Sequence, residues 1–119
     1  MPFPVPDPFV WDTSFQVFYF ELDEKHRGIF QALFALGNDN NPSNLKLLYR
    51  VTANHFAEEE GFMQTANYGG YRSHKVLHED FLAKLRSFKA PVPDKDVYFA
   101  KDWLVQHIKT IDFKYKNLL

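Results

Sequence analysis

Between His55 and His78 the chain holds two pairs of side chains able to bind a metal at helical spacing. His55 and Glu59 stand four residues apart, as do His74 and His78, with a break at Tyr68-Gly69-Gly70 between the pairs. Residues four apart on a helix lie one turn above each other on the same face, so each pair can aim two lone pairs at one point. The other histidines, His26 and His107, fall on similar inward-facing stripes, and a second carboxylate, Asp112, follows closely after His107. A buried imidazole without a hydrogen-bond partner costs about 1–3 kcal/mol. Apart from these seven groups, the stripes offer little beyond Thr52 and Tyr71 as partners. A metal would satisfy the imidazole lone pairs and the carboxylates together.

The donor set narrows the metal. The chain has no cysteine, which excludes disulfides, thiolate sites and a cysteine nucleophile. Five imidazoles and two carboxylates exceed what one tetrahedral zinc takes and are too nitrogen-rich for calcium or magnesium. They suit iron, copper, nickel, manganese or a pair of zinc ions. On two six-coordinate irons, these imidazoles, bridging carboxylates from Glu59 and Asp112, and a bridging oxide or hydroxide leave one coordination position free for a small ligand. Di-iron carboxylate enzymes carry Glu-x-x-His pairs. Here the residues three before each histidine are Asp23, Thr52, Tyr71, Lys75 and Leu104, and none is Glu. Asp112 lies five residues after His107, about 140° round an ideal helix. Both can reach one centre only if the helix end is irregular, at about Thr110 to Asp112, or the two side chains lean together.

A chain of 119 residues with 45% hydrophobic and 24% charged residues reads as one globular domain with a single core. Its 13 Phe raise the aromatic share to 18%, which suits the filling of a small bundle. A net charge of −1 without a basic patch argues against nucleic-acid and anionic-membrane partners. No apolar run approaches the ~18 residues of a membrane span. The start, Met1-Pro2-Phe3-Pro4-Val5-Pro6-Asp7-Pro8, lacks the basic and apolar parts of a secretory signal. The expected location is therefore cytoplasmic.

To position those donors the chain needs four helices. Proline at every second position up to Pro8 makes residues 1–17 an extended arm, whose Phe9, Trp11, Phe15 and Val17 should pack on the body. The periodicity predicts a first helix over about 18–36, with Phe18, Leu22, His26, Ile29, Leu33 and Leu36 inward and Gly37 as its stop. A second, over 42–66, begins at Asn41-Pro42 and turns Leu45, Leu48, Thr52, His55, Glu59, Phe62 and Ala66 inward. A third runs over 71–88, a fourth over 94–111, and a tail covers 113–119. Short connections make neighbours antiparallel. The expected fold is all-α: an up-down-up-down four-helix bundle with an extended N-terminal arm and a metal centre in its core, one domain over 1–119.

Segments along nearly the whole chain carry a family resemblance: Val10-Trp11-Asp12, Asp23-Glu24-Lys25-His26, Asn54-His55-Phe56-Ala57-Glu58-Glu59, His74-Lys75-Val76-Leu77-His78, and the run from Trp103 through His107 and Asp112 to Tyr115. Together they resemble the hemerythrin family of non-heme di-iron oxygen carriers, most closely its myohemerythrin branch. The resemblance implies two iron ions per chain, bridged by oxide or hydroxide. His74, His78 and His107 would hold one iron, His26 and His55 the other, and Glu59 and Asp112 would bridge both. Dioxygen would bind at the open iron and be held as hydroperoxide, then leave unchanged, so no catalytic residue is expected. Leu104, with Ile29, Phe56 and Trp103 nearby, would line a dry oxygen pocket. Tyr68, Tyr71 and Tyr115 are candidate hydrogen-bond donors around the centre.

Two positions depart from the family pattern: Lys25, where relatives often carry an acidic residue, and Gln106, in place of a common Asn. The segment Phe88–Val97 is longer than in the circulating oligomeric form, which favours a monomer. The function implied is reversible oxygen storage or transport. A di-iron oxidase or peroxidase, and an iron-binding or oxygen-sensing protein, are the alternatives.

Overall fold

Proline-rich backbone cannot enter a helix, and from Phe3 the chain stays irregular until a short 3₁₀ turn at Thr13–Phe15. The computed structural model describes residues 3–119. Four helices follow the arm: α1 (Phe20–Asn38), α2 (Pro42–Thr65), α3 (Tyr71–Ser87) and α4 (Asp94–Thr110), with a 3₁₀ turn at Asp112–Tyr115 after the last. No strand occurs among the described residues. The helix ends carry the expected chemistry. Asn41 caps α2 by accepting the Asn44 N–H at 2.8 Å, with Pro42 in the first turn. Glu21 and Asp23 open α1, Asp94 and Asp96 open α4, and Lys84 and Arg86 close α3, each charge opposing the local end of the helix dipole.

The four donor-bearing stretches require alternating helix directions. His26 lies in the first half of α1 and His74 and His78 in the first half of α3. His55 and Glu59 lie in the second half of α2, and His107 near the end of α4. All meet at one end of the bundle, which is possible only if consecutive helices run opposite ways. The long dimension of the molecule, 40 Å, is close to the ~36 Å that α2's residues span at 1.5 Å each. At the other end, Asn40 joins the α1–α2 turn to the α3–α4 connection. Its amide donates to the Val92 carbonyl and accepts the Val92 N–H, both at 2.7 Å.

Several details differ from the periodicity. α1 begins at Phe20, because the buried Asp23 carboxylate accepts the N–H groups of Val17 (2.8 Å) and Phe18 (3.2 Å). Phe18 is thereby held at φ 69 and left 68% exposed, outside the helix and off the inward stripe. The helix continues through Gly37 to Asn38, and the Asp39 N–H closes it on the Ala35 carbonyl at 2.8 Å. On α2, Phe62 faces outward and Met63 takes the inward place, while Ala66 lies past the helix end as its cap. Phe88 caps α3 rather than belonging to it.

The arm lies against α1 and α4. Phe9 stacks on Phe30 (centroids 4.4 Å apart), Phe15 meets Phe30 edge-on at 4.9 Å, and Arg27 covers the Trp11 ring at 4.3 Å. Gln106 of α4 receives the Phe3 N–H at 3.0 Å and donates to the Phe3 carbonyl at 2.6 Å. Phe30 is therefore the seat of the arm. Phe30→Ala is expected to cost about 3–5 kcal/mol of stability and to open the arm to limited proteolysis. A denaturant midpoint and cleavage pattern like those of the unmodified chain would refute that.

Candidate metal centre

All seven sequence-predicted donors are buried, none more than 5% exposed. They form two overlapping groups. Glu59, His74, His78, His107 and Asp112 offer donor atoms within 4.8 Å of one another, and so do His26, His55, Glu59 and Asp112. Glu59 and Asp112 belong to both. Each carboxylate turns one oxygen to each group. Glu59 Oε1 lies 3.1 Å from His74 Nε2 and 3.0 Å from His78 Nε2, while its Oε2 lies 3.3 Å from His55 Nε2 and 3.6 Å from His26 Nε2. Asp112 Oδ1 lies 2.9 Å from His74 Nε2 and 3.1 Å from His107 Nε2, and its Oδ2 lies 3.0 Å from His26 Nε2. All five imidazoles point Nε2 inward.

Asp112 reaches the centre because α4 stops at Thr110. The chain turns through Ile111 (φ −100, ψ −54) into the 3₁₀ segment, which removes the angular mismatch with His107 that a continuous helix would leave. The same turn brings Tyr115 inward. Its hydroxyl donates to Glu59 Oε2 at 2.7 Å, and its ring lies nearly parallel to that of His74. Burial, reinforced by the negative charges of Asp112 and Glu59, pushes the Tyr115 phenol well above its usual 10. It therefore stays a donor at neutral pH.

The donor atoms are unbalanced by themselves. His26 Nε2, His55 Nε2, His78 Nε2, Glu59 Oε1 and Asp112 Oδ1 are buried without a hydrogen-bond partner, and the Nε2 atoms of His74 and His107 stand 3.1 Å apart. Buried polar atoms left unpaired are costly. Cations seated between the nitrogens and oxygens give each of them a partner, and imidazole with carboxylate is the donor set that borderline divalent and trivalent metals take. The residues fit a metal centre.

Titration reflects the same crowding. Burial pushes the His26 and His74 imidazolium groups down, but the close negative carboxylates of Asp112 and Glu59 outweigh it and raise both to about 9. Burial lowers His55 and His107. For Glu59, burial acts upward but His55, His26 and His74 hold the carboxyl well below its ordinary range. Asp112 is likewise lowered, with burial and the Glu59 charge opposed by His107 and His26.

The aromatic surroundings separate the two groups. Phe56 lies flat on His78 (3.7 Å, 1°), Trp103 on His107 (4.3 Å, 12°) and Tyr115 beside His74 (6.0 Å, 14°). His26 and His55 instead meet each other edge-on at 4.5 Å. Of the four residues expected at an oxygen pocket, Ile29 and Leu104 are fully buried core residues. Phe56 and Trp103 are engaged with the three-histidine group. Phe56 also reaches toward His55, at 5.9 Å between ring centroids. Tyr68 packs edge-on against Tyr115, and Tyr71 lies partly buried against the core. Lys25 is exposed, and Gln106 is engaged with Phe3 and Asp102. Sequence reasoning passed over Glu60, which lies 2.8 Å from His78 Nδ1. The run Glu58-Glu59-Glu60 was its only signal.

A family model described as hemerythrin HHE cation binding domain matches residues 17–119. A hemerythrin subunit of Sipunculus nudus is 72% identical over 119 residues, covering 100% of both chains. Sipunculus nudus myohemerythrin is 54% identical over 120 residues, again covering 100% of each. Myohemerythrin-1 of Phascolopsis gouldii is 51% identical over 119 residues, 99% of this chain and 100% of the relative.

The charge state of the centre makes a prediction for the metal-free chain. With folded values near 9, His26 and His74 are protonated at neutral pH, and a cation must displace those protons. Loading with Zn(II) is expected to release protons at pH 7, and fewer as pH rises through 9. The raised histidines stabilise the metal-free fold fully below their unfolded pKa of about 6.5, and that contribution is lost as pH rises through 9. The depressed carboxylates contribute above about pH 4, and their contribution is lost as pH falls. Denaturant titrations of the metal-free chain should therefore give lower stability at pH 10 than at pH 7. Proton release that does not change with pH would contradict this.

Proposed function

This chain belongs to the hemerythrin family, and we propose that it binds dioxygen reversibly, for storage or transport, at two iron ions held by these seven side chains. The observation that carries the reading is the division of the carboxylates, each with one oxygen against members of the three-histidine group and the other against members of the two-histidine group. In this reading His74, His78 and His107 hold one iron and His26 and His55 the other. Glu59 and Asp112, common to both donor groups, would be shared between the two irons. An iron pair held there would supply two electrons to the bound dioxygen.

The protein supplies everything else. Stacked rings on His78 and His107 keep the three-histidine side rigid, as ligand orientation requires. Tyr115 steadies Glu59 by donating to Oε2. In this reading Ile29, Phe56, Trp103 and Leu104 would form the apolar wall that excludes water and reductant from the ligand, with Phe56 and Trp103 entering from the three-histidine side. The work is carriage rather than turnover, and the ligand leaves as it arrived.

We read residues 1–119 as one hemerythrin-like domain acting in the cytoplasm. Among the described residues no helix is long and apolar enough to cross a membrane. The long Phe88–Val97 segment supports a monomer, whereas the higher identity to a relative named as a subunit favours an assembled form. Sedimentation of the iron-loaded protein decides: the monomer reading expects 14.0 kDa, and a multiple of that mass would replace it with the assembled form.

The central experiment is anaerobic loading with Fe(II), exposure to air, then removal of oxygen. Two irons per chain and a coloured form that appears and disappears over repeated cycles are expected. Irreversible oxidation, or turnover of an added substrate, would replace the carrier reading with an enzyme. Leu104→Ala should cost about 2–5 kcal/mol of stability and shorten the lifetime of the oxygenated form by admitting water. An unchanged lifetime would remove Leu104 from the pocket wall.

A further inference from the structure

Of the run Glu58-Glu59-Glu60 on α2, only Glu59 points into the donor cluster. Glu60 reaches across to α3 instead, where its Oε2 lies 2.8 Å from Nδ1 of His78. The histidine is sealed from solvent and the carboxylate is 17% exposed. A metal-binding imidazole gives one nitrogen to the ion, and the hydrogen bond made by the other nitrogen selects its tautomer. At His26, His55 and His74 that other nitrogen, Nδ1, is buried without a hydrogen-bond partner. His78 is the one histidine with a side-chain hydrogen bond at Nδ1 among the described residues.

We infer that Glu60 is a positioning residue for the three-histidine side of the centre, acting through His78. The inference rests on reading the seven donors as metal ligands. An ionised carboxylate only accepts hydrogen bonds, so the His78 Nδ1–H donates to Glu60. The Nε2 lone pair is then left facing Glu59 Oε1, 3.0 Å away. Phe56, flat against His78, sets the plane of the ring. Glu60 sets which edge of that plane faces inward. The bond also has an electronic effect. A hydrogen bond from a ligand imidazole to an anionic acceptor increases the donor strength of the opposite nitrogen. The ion held by His74, His78 and His107 thus gains a stronger donor, while Nδ1 of both His26 and His55 lacks a partner.

Glu60→Ala and Glu60→Gln separate these effects. Zn(II), being diamagnetic and redox-silent, reports ligand geometry without dioxygen chemistry. Competition with a chelator gives the affinity of each ion, and imidazole ¹H–¹⁵N spectra of the Zn-loaded protein give the tautomer. Glu60→Ala is expected to weaken one of two Zn ions about 10–100-fold and to abolish the protected His78 Nδ1–H signal. Glu60→Gln retains an amide oxygen that can accept the same proton. It should restore the signal and most of the affinity, yet raise the reduction potential of the iron-loaded pair because the negative charge is gone. Circular dichroism checks that both variants fold.

Unchanged Zn affinity and an intact Nδ1–H signal in Glu60→Ala would overturn the inference. So would Glu60→Gln losing the signal as Glu60→Ala does. Uptake of fewer than two Zn ions by the unmodified chain would overturn the ligand reading and this inference with it. Two tight Zn ions without reversible oxygenation of the iron form would overturn only the carrier reading.

Discussion

Two carboxylates shared between two sets of imidazoles set the terms for the rest of this molecule. Glu59 and Asp112 are sealed from solvent, where an ionised carboxylate is tolerated only with compensating charge and hydrogen bonds. Five imidazoles surround them, but neutral histidines cannot satisfy every inward nitrogen and oxygen. Protons partly do so in the metal-free chain, at His26 and His74. Cations do so more completely, since each binds several lone pairs at once. The polar centre is thus a part of the core that the fold cannot stabilise from its apolar residues alone.

The bundle follows from that requirement. No single helix can present seven donors to one small volume, since an i, i+4 pair is what one face offers within a turn. Four helices sharing one core can do so if directions alternate, so that the first halves of α1 and α3 meet the last halves of α2 and α4. The end of α4 completes the geometry. A regular helix would carry Asp112 away from His107, and the turn at Ile111 returns it. This departure from the ideal helix stands where the chemistry needs it.

The sequence made the donors legible because their information is local. Spacing of four residues and a shared apolar stripe mark His55 with Glu59 and His74 with His78 before any tertiary contact is known. The mismatch of Asp112 with His107 was equally readable, as a demand for an irregular helix end. What periodicity could not convey was anything decided across elements. Phe18 lies on the first-helix stripe by spacing, yet Asp23 takes its N–H and turns it outward. Phe62 and Met63 are adjacent, and only packing against neighbours chose Met63 for the core. Glu60 sits in an acidic run that a solvated helix face explains equally well; its meaning depends on the approach of α3.

The unequal halves of the centre have the same origin. Neither spacing nor residue type distinguishes His78 from His55, since each stands four residues from another donor. The distinction comes from what covers the rings. Phe56, Trp103 and Tyr115, from α2, α4 and the turn after it, lie along the three histidines contributed by α3 and α4, and Glu60 adds a hydrogen bond at the outer edge of one. Among the described residues, the aromatic contacts of His26 and His55 are with each other, edge-on, and of His55 with the tilted Phe56 ring. A side with more protein donors and stacked rings would hold an ion in one geometry. A side with fewer protein donors leaves coordination positions that a small ligand can take. In the proposed di-iron reading, binding a small ligand at one ion while the other stays fixed would draw on that difference, which is built from aromatic packing around chemically identical imidazoles.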